Sequence, residues 1–150
     1  MKKKIVCTLI AFLAVSALFA QKDQVVGYWL TEEGQSQVHI FEKNNGKMYG
    51  KIVWLEEPLN EDGSPKRDIE NMDEEKQHRK ILGMTILKDF EYDQADEKWE
   101  NGKIYDPESG KTYDCYMWFD GNNKVLNVKG YIGLSVIGRK TEWTRETEKR

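Results

Sequence analysis

The feature that most constrains this chain is a succession of short alternating runs, each closed by a tight-turn signal. Residues 111–119 alternate cleanly, with Tyr113, Cys115, Met117 and Phe119 on one face and Thr112, Asp114, Tyr116 and Trp118 on the other. That period of two belongs to a half-buried strand. Further strands are predicted at residues 25–31, 37–43, 47–55, 84–92, 99–105, 125–132 and 139–146, giving eight to ten in all. In the third, Met48, Gly50, Ile52 and Trp54 are expected to share one face. The fifth is expected to bend at Asn101-Gly102. Asn44-Asn45-Gly46 is a strong hairpin turn, and in Asp106-Pro107-Glu108-Ser109-Gly110 proline fixes φ while glycine supplies a positive φ. Asp120-Gly121-Asn122-Asn123 turns the chain again. Consecutive hairpins of this number end as a closed barrel or a sandwich, and closure removes exposed edges.

Residues 56–80 break the pattern. Nine acids and five bases crowd this stretch with Pro58 and Pro65, which marks a solvated covering loop rather than another strand. A short helix is expected from about Asn71, with Glu74 as its capping partner.

The first twenty residues read as a signal peptide and residues 21–150 as a single domain. Lys2, Lys3 and Lys4 precede an apolar run over residues 5–19, and small residues follow at Ser16, Ala17 and Ala20. The run is shorter than the roughly 18 residues of a spanning helix, which argues against an uncleaved anchor. Cleavage is expected after Ala17 or Ala20, with bulky Leu18 disfavouring the second. The protein is therefore expected to be exported, periplasmic or extracellular, with no transmembrane segment in the mature chain. The whole chain has 23 bases and 26 acids; losing three lysines and no acid leaves 20 against 26, a net charge of −6. Such a surface repels phosphate polymers, so no nucleic-acid partner is expected. Cys7 leaves with the leader, so Cys115 has no intramolecular partner and reads as a small buried hydrophobe.

Several motifs taken in order carry a family resemblance. Gly27-Tyr28-Trp29 opens the first strand and Trp143-Thr144-Arg145 closes the last. Between them lie Arg79-Lys80-Ile81-Leu82-Gly83-Met84, Gly102-Lys103-Ile104-Tyr105-Asp106-Pro107, Gly110-Lys111-Thr112-Tyr113, Val128-Lys129-Gly130-Tyr131-Ile132-Gly133 and Gly138-Arg139. Together these resemble the exported bacterial proteins grouped as domain-of-unknown-function family 2147, over residues 27–145. The resemblance implies an all-β, antiparallel up-and-down lipocalin-like (calycin-like) barrel with one long loop or short helix. It implies no activity. Asp68-Ile69-Glu70-Asn71-Met72-Asp73 departs from the family pattern, where proline would follow the Asn. The floor of such a barrel is expected from Gly27, Trp29, Trp143 and Arg145. A cation from the last strand, Arg145 or Arg139, would stack on Trp29, a contact of roughly 0.5–2 kcal/mol.

Chemical motifs are sparse. The two histidines, His39 and His78, are distant from each other and from Cys115, so no metal site is expected. Asn60-Glu61-Asp62-Gly63-Ser64 lacks the ligand spacing of a calcium loop. Gly133-Leu134-Ser135-Val136-Ile137-Gly138 misses the nucleophile elbow by one residue, and no cofactor-binding glycine loop occurs. The aromatic–basic mixture around Trp118 and Lys129 is explained by half-buried sheet positions. The leading expectation is noncovalent binding of a small apolar or amphipathic ligand, with Tyr105, Tyr113, Tyr131 and Arg139 as polar anchors. The alternatives are a cell-envelope interaction or structural module with an unknown protein partner, and an enzyme with an unrecognised carboxylate or tyrosine site.

Overall fold

The structure is a computed structural model that describes residues 21–134 and 137–150. The signal peptide expected over residues 1–20 lies outside the described residues. Eight strands follow one another: β1 (Gly27–Leu30), β2 (Ser36–Glu42), β3 (Met48–Leu55), β4 (Thr85–Asp93), β5 (Lys98–Asp106), β6 (Lys111–Phe119), β7 (Val125–Tyr131) and β8 (Gly138–Glu146). Each pairs antiparallel with the next, and β8 returns to β1, so the sheet closes as an up-and-down barrel. The closing register sets Trp29 opposite Arg145 and Leu30 opposite Thr144.

Turn chemistry explains most of the connections. In the β2–β3 hairpin Gly46 N–H donates to Lys43 O at 2.9 Å, and Asn45 Oδ1 accepts from Lys47 N at 3.1 Å. In the β5–β6 hairpin Gly110 N–H donates to Asp106 O at 2.9 Å, while the Asp106 carboxylate accepts from Glu108 N and Ser109 Oγ. These contacts satisfy turn amides that no ladder reaches.

Bulges adjust the alternation. Trp99 and Gly102 of β5 both pair with inward residues of β6, and Asn101 between them takes φ +58°. The bend expected at Asn101-Gly102 is this bulge. On β4, Asp89 takes φ +64° between buried Leu87 and Phe90. On β3 the pairing slips between Gln37↔Trp54 and Val38↔Ile52, leaving Val53 as the extra residue. A bulge moves every following side chain to the other face. Trp54 therefore leaves the face of Met48, Gly50 and Ile52, contrary to strict alternation, and lies under the Arg150 guanidinium at 5.0 Å.

The core fills one half of the barrel. Trp29, Trp99, Phe90, Met48, Met117 and Leu126 are all fully buried. Phe119 lies between the two indoles, 5.8 Å from Trp29 and 5.3 Å from Trp99 between ring centroids. The segment before β1, including a 3-10 turn at Asp23–Val25, plugs this end. Its carbonyls take the buried indole protons: Trp29 Nε1 donates to Val25 O at 2.8 Å and Trp99 Nε1 to Lys22 O at 3.0 Å.

The connection from β3 to β4 is an ordered strap. The short helix expected near Asn71 is a 3-10 turn at Glu74–Lys76 capped by Asp73, whose side chain accepts from Glu75 N. Asn71 does not cap it. Its amide is drawn inward, donating at 2.8 Å to Asp68 and at 2.9 Å to Tyr105. Among the described residues no helix is long and apolar enough to cross a membrane.

Candidate functional site

The other half of the barrel holds a cavity of about 830 Å³. Its origin is a change in side-chain size. Inward positions near the closed end carry Trp, Phe and Met, whereas those nearer the opening carry Ile52, Ile86, Ile104, Val128 and Thr141. Gly130 adds no side chain to this layer; a Cβ there would stand 3.3 Å from Ile104 Cγ2. The branched residues leave the upper barrel unfilled, with Trp143 in the wall and its Nε1 donating to Thr141 Oγ1 at 3.1 Å. Such volumes accommodate small ligands.

The four polar positions named from the sequence all touch the cavity boundary, in four different situations. Tyr113 stands opposite Ile104 on the inward face, and its hydroxyl bonds to no other described residue. Arg139 sits at the mouth, largely exposed, with Nη2 2.8 Å from Glu33 Oε1. Tyr105 touches the cavity, but its hydroxyl is committed to the strap. Tyr131 borders the cavity, but its ring packs on the outer face, 6.0 Å from Tyr116, beside Asp114. Since Leu126, Val128 and Gly130 face inward, β-parity sends Tyr131 out. Burial raises the Tyr131 phenol's pKa, and the neighbouring Asp114 adds to the effect.

The sequence-based floor residues divide into two layers. The Arg145 guanidinium lies 4.2 Å from the Trp29 ring centroid. It also donates to the carbonyls of Asn123 at 2.7 Å, Val26 at 3.0 Å and Gln24. Burial lowers its pKa. Gly27 completes this layer, because a Cβ there would come within 2.9 Å of Arg145 Nη1 and its φ of +139° disfavours any side chain. Trp143 belongs to the layer above and lines the cavity. Arg139, the other cation considered for Trp29, is instead at the opposite end of β8, paired with Gly130.

One arrangement escaped the sequence: a clasp that ties the strap to the barrel. Asp68 is fully buried. It accepts from Tyr105 Oη at 2.5 Å, from Asn71 Nδ2 at 2.8 Å and from Arg79 Nη2 at 2.8 Å. Burial, followed by the bond to Asp68, pushes the Tyr105 phenol up to about 12. The strap also rests on the β5–β6 hairpin, where a Cβ on Gly110 would come within 1.8 Å of Glu70 O. The clasp positions Lys66 and Ile81 in the cavity boundary. Its only sequence signal was the crowding of Asp, Asn, Arg and Tyr with no local use for them.

The rim is charged. Glu32 and Glu33 come from the β1–β2 loop, Glu56 and Glu57 from the strap, and Asp106 and Glu108 from the β5–β6 hairpin. Lys66 and Arg139 are the rim cations, and Lys66 lies 3.3 Å from Glu57. Ile132, Leu134 and Ile137 of the β7–β8 loop are largely exposed nearby.

Reactive groups are few. Cys115 is a buried free thiol whose pKa is raised by burial, so its thiolate is disfavoured. Among the described residues no group of three or more His, Cys, Asp or Glu is placed to hold a metal ion. His39 stacks on Tyr28 with centroids 4.6 Å apart, and burial lowers its pKa, with Lys51 adding to the effect.

Comparison with known proteins agrees with this architecture. A solved structure described as "Protein HP1028 from the human pathogen Helicobacter pylori belongs to the lipocalin family" superposes with a TM-score of 0.67 at 26% identity. The match covers 83% of this chain and 84% of that one. No curated protein matches the chain. The family model described as "Uncharacterized protein conserved in bacteria (DUF2147)" matches residues 27–145, so the chain belongs to that family and carries its members' kind of lipocalin-like barrel.

Proposed function

We propose that the protein binds a small apolar or amphipathic molecule noncovalently inside the barrel, and that it does so outside the cytoplasm after loss of residues 1–20. The observation that carries this reading is the unfilled upper half of the barrel, walled by Ile52, Ile86, Ile104, Val128 and Trp143. Barrels of eight strands either fill this space with their own side chains or hold a ligand in it. Burying ten methylenes supplies about 8 kcal/mol, against an association cost of about 4–15 kcal/mol. A chain alone therefore binds weakly, and a polar contact at the head decides whether binding is useful. Tyr113, whose hydroxyl has no partner among the described residues, is a polar residue of the wall that such a head would meet.

Native mass spectrometry of the protein purified from its own cell envelope tests this. A co-purified mass of lipid size supports it. Clean apo-protein that also rejects a panel of lipids contradicts it. A second reading, an envelope interaction module, draws on the exposed Ile132, Leu134 and Ile137 beside the mouth. It gains if the cavity stays empty while the protein is retained by envelope fractions.

A further inference from the structure

We propose that this cavity selects amphiphiles with a cationic head, such as long-chain amines, over carboxylates of the same chain length. The inference rests on the ligand-binding reading above and deepens it. A chain lying against Ile86, Ile104 and Val128 brings its head to the rim. There six carboxylates, Glu32, Glu33, Glu56, Glu57, Asp106 and Glu108, face two cations, Lys66 and Arg139.

Both cations are already engaged, Arg139 with Glu33 at 2.8 Å and Lys66 with Glu57 at 3.3 Å. Each keeps free N–H donors, but its charge is already offset by that partner, so an anionic head gains little there and is placed beside the partner carboxylate. A cationic head displaces nothing, because Glu32, Glu56 and Glu108 form no ion pair among the described residues. The rim field has the same sign as the −6 carried by residues 21–150, so near and far charges act together. The low-dielectric wall behind the rim reinforces the field at its mouth.

The experiment is a displacement titration of an uncharged fluorescent probe by dodecylamine, dodecanoate and 1-dodecanol, the two ionic amphiphiles below their micelle concentrations and the alcohol below its solubility limit. At low salt, dodecylamine is expected to bind about tenfold tighter than dodecanoate, with 1-dodecanol between them. The gap closes at about 1 M salt, where the screening length is about 3 Å. The variant Glu32→Gln/Glu33→Gln/Glu56→Gln/Glu57→Gln, all exposed positions, should lose the preference while still binding 1-dodecanol. If 1-dodecanol binds but dodecanoate binds as tightly as dodecylamine, or if the variant keeps the preference, head-group selection is wrong and the cavity reading stands. If none of the three displaces the probe, both fall.

Discussion

The guanidinium of Arg145 lies 4.2 Å over the ring of Trp29, its cross-strand neighbour at the seam where the last strand meets the first. The same group holds three backbone carbonyls of the segments that plug the closed end. One side chain thus joins the barrel seam, the plug and the β6–β7 turn. Arg145→Ala is expected to lower stability by about 2 kcal/mol, from the lost cation–π contact and the lost charged hydrogen bonds. Arg145→Lys keeps the charge but not the fork, and recovers only part of this. Urea unfolding midpoints measure both; an unchanged midpoint for Arg145→Ala would remove the contact from the account.

Gly27→Ala tests the room made for that guanidinium. Two penalties are expected, one from φ +139° and one from a Cβ 2.9 Å from Arg145 Nη1. Together they should cost about 2 kcal/mol. In an Arg145→Ala background the crowding disappears and only the backbone penalty remains. The double-mutant cycle should therefore show a coupling of about 0.5 kcal/mol or more. Strict additivity would mean that Gly27 is needed for its backbone alone.

The strap clasp should open when its buried acceptor is removed. Asp68→Ala leaves the Tyr105 hydroxyl, the Asn71 amide and the Arg79 guanidinium without their shared partner. A local destabilisation of about 2–3 kcal/mol is expected, with Arg79's partial exposure softening the loss. Hydrogen exchange should show lost protection at Asp68, Asn71 and Ile81, whose amides bond within the strap, while β6 and β7 stay protected. Gly110→Ala, which drives a Cβ into Glu70 O, should loosen the same segment.

The clasp also sets an alkaline limit. The Tyr105 phenol is raised from 10.0 to about 12 in the fold. A raised acid keeps its proton more tightly when folded, so its stabilising share is complete below pH 10 and is lost as pH climbs to about 12. Ultraviolet titration of the phenolate band should show Tyr105 ionising in that upper window, so that Tyr105→Phe removes one tyrosine's amplitude from it. A Tyr105→Phe titration superimposable on wild type would refute the assignment.

The order of strands, the hairpin turns and the Trp29–Arg145 floor were legible because each rests on a local signal or a single pairing. The faces were less so. Bulges at Val53 and Asp89 each insert a residue, and Trp54 accordingly left the face that alternation assigned to it. The orientation of Tyr131 was not legible from the alternation near the bend; Val128 and Gly130 face in, which sends its ring out although the residue borders the cavity. The clasp was invisible because Asp68 and Tyr105 are 37 residues apart and neither carries a motif. The cavity was only partly foreseeable. The barrel pattern suggested an interior, but the step from Trp and Phe below to Ile and Val above emerges once the register is known.

Binding of a ligand in the space above Trp143 is the property on which the proposed function stands. Its most direct measurement is calorimetric titration of 1-dodecanol into wild type and into Val128→Phe, which places a ring in the cavity wall. Wild type is expected to bind saturably near one ligand per chain, with a loss of about tenfold or more in affinity for a still-folded Val128→Phe. Equal binding by both proteins, or no saturable heat from wild type, would contradict it.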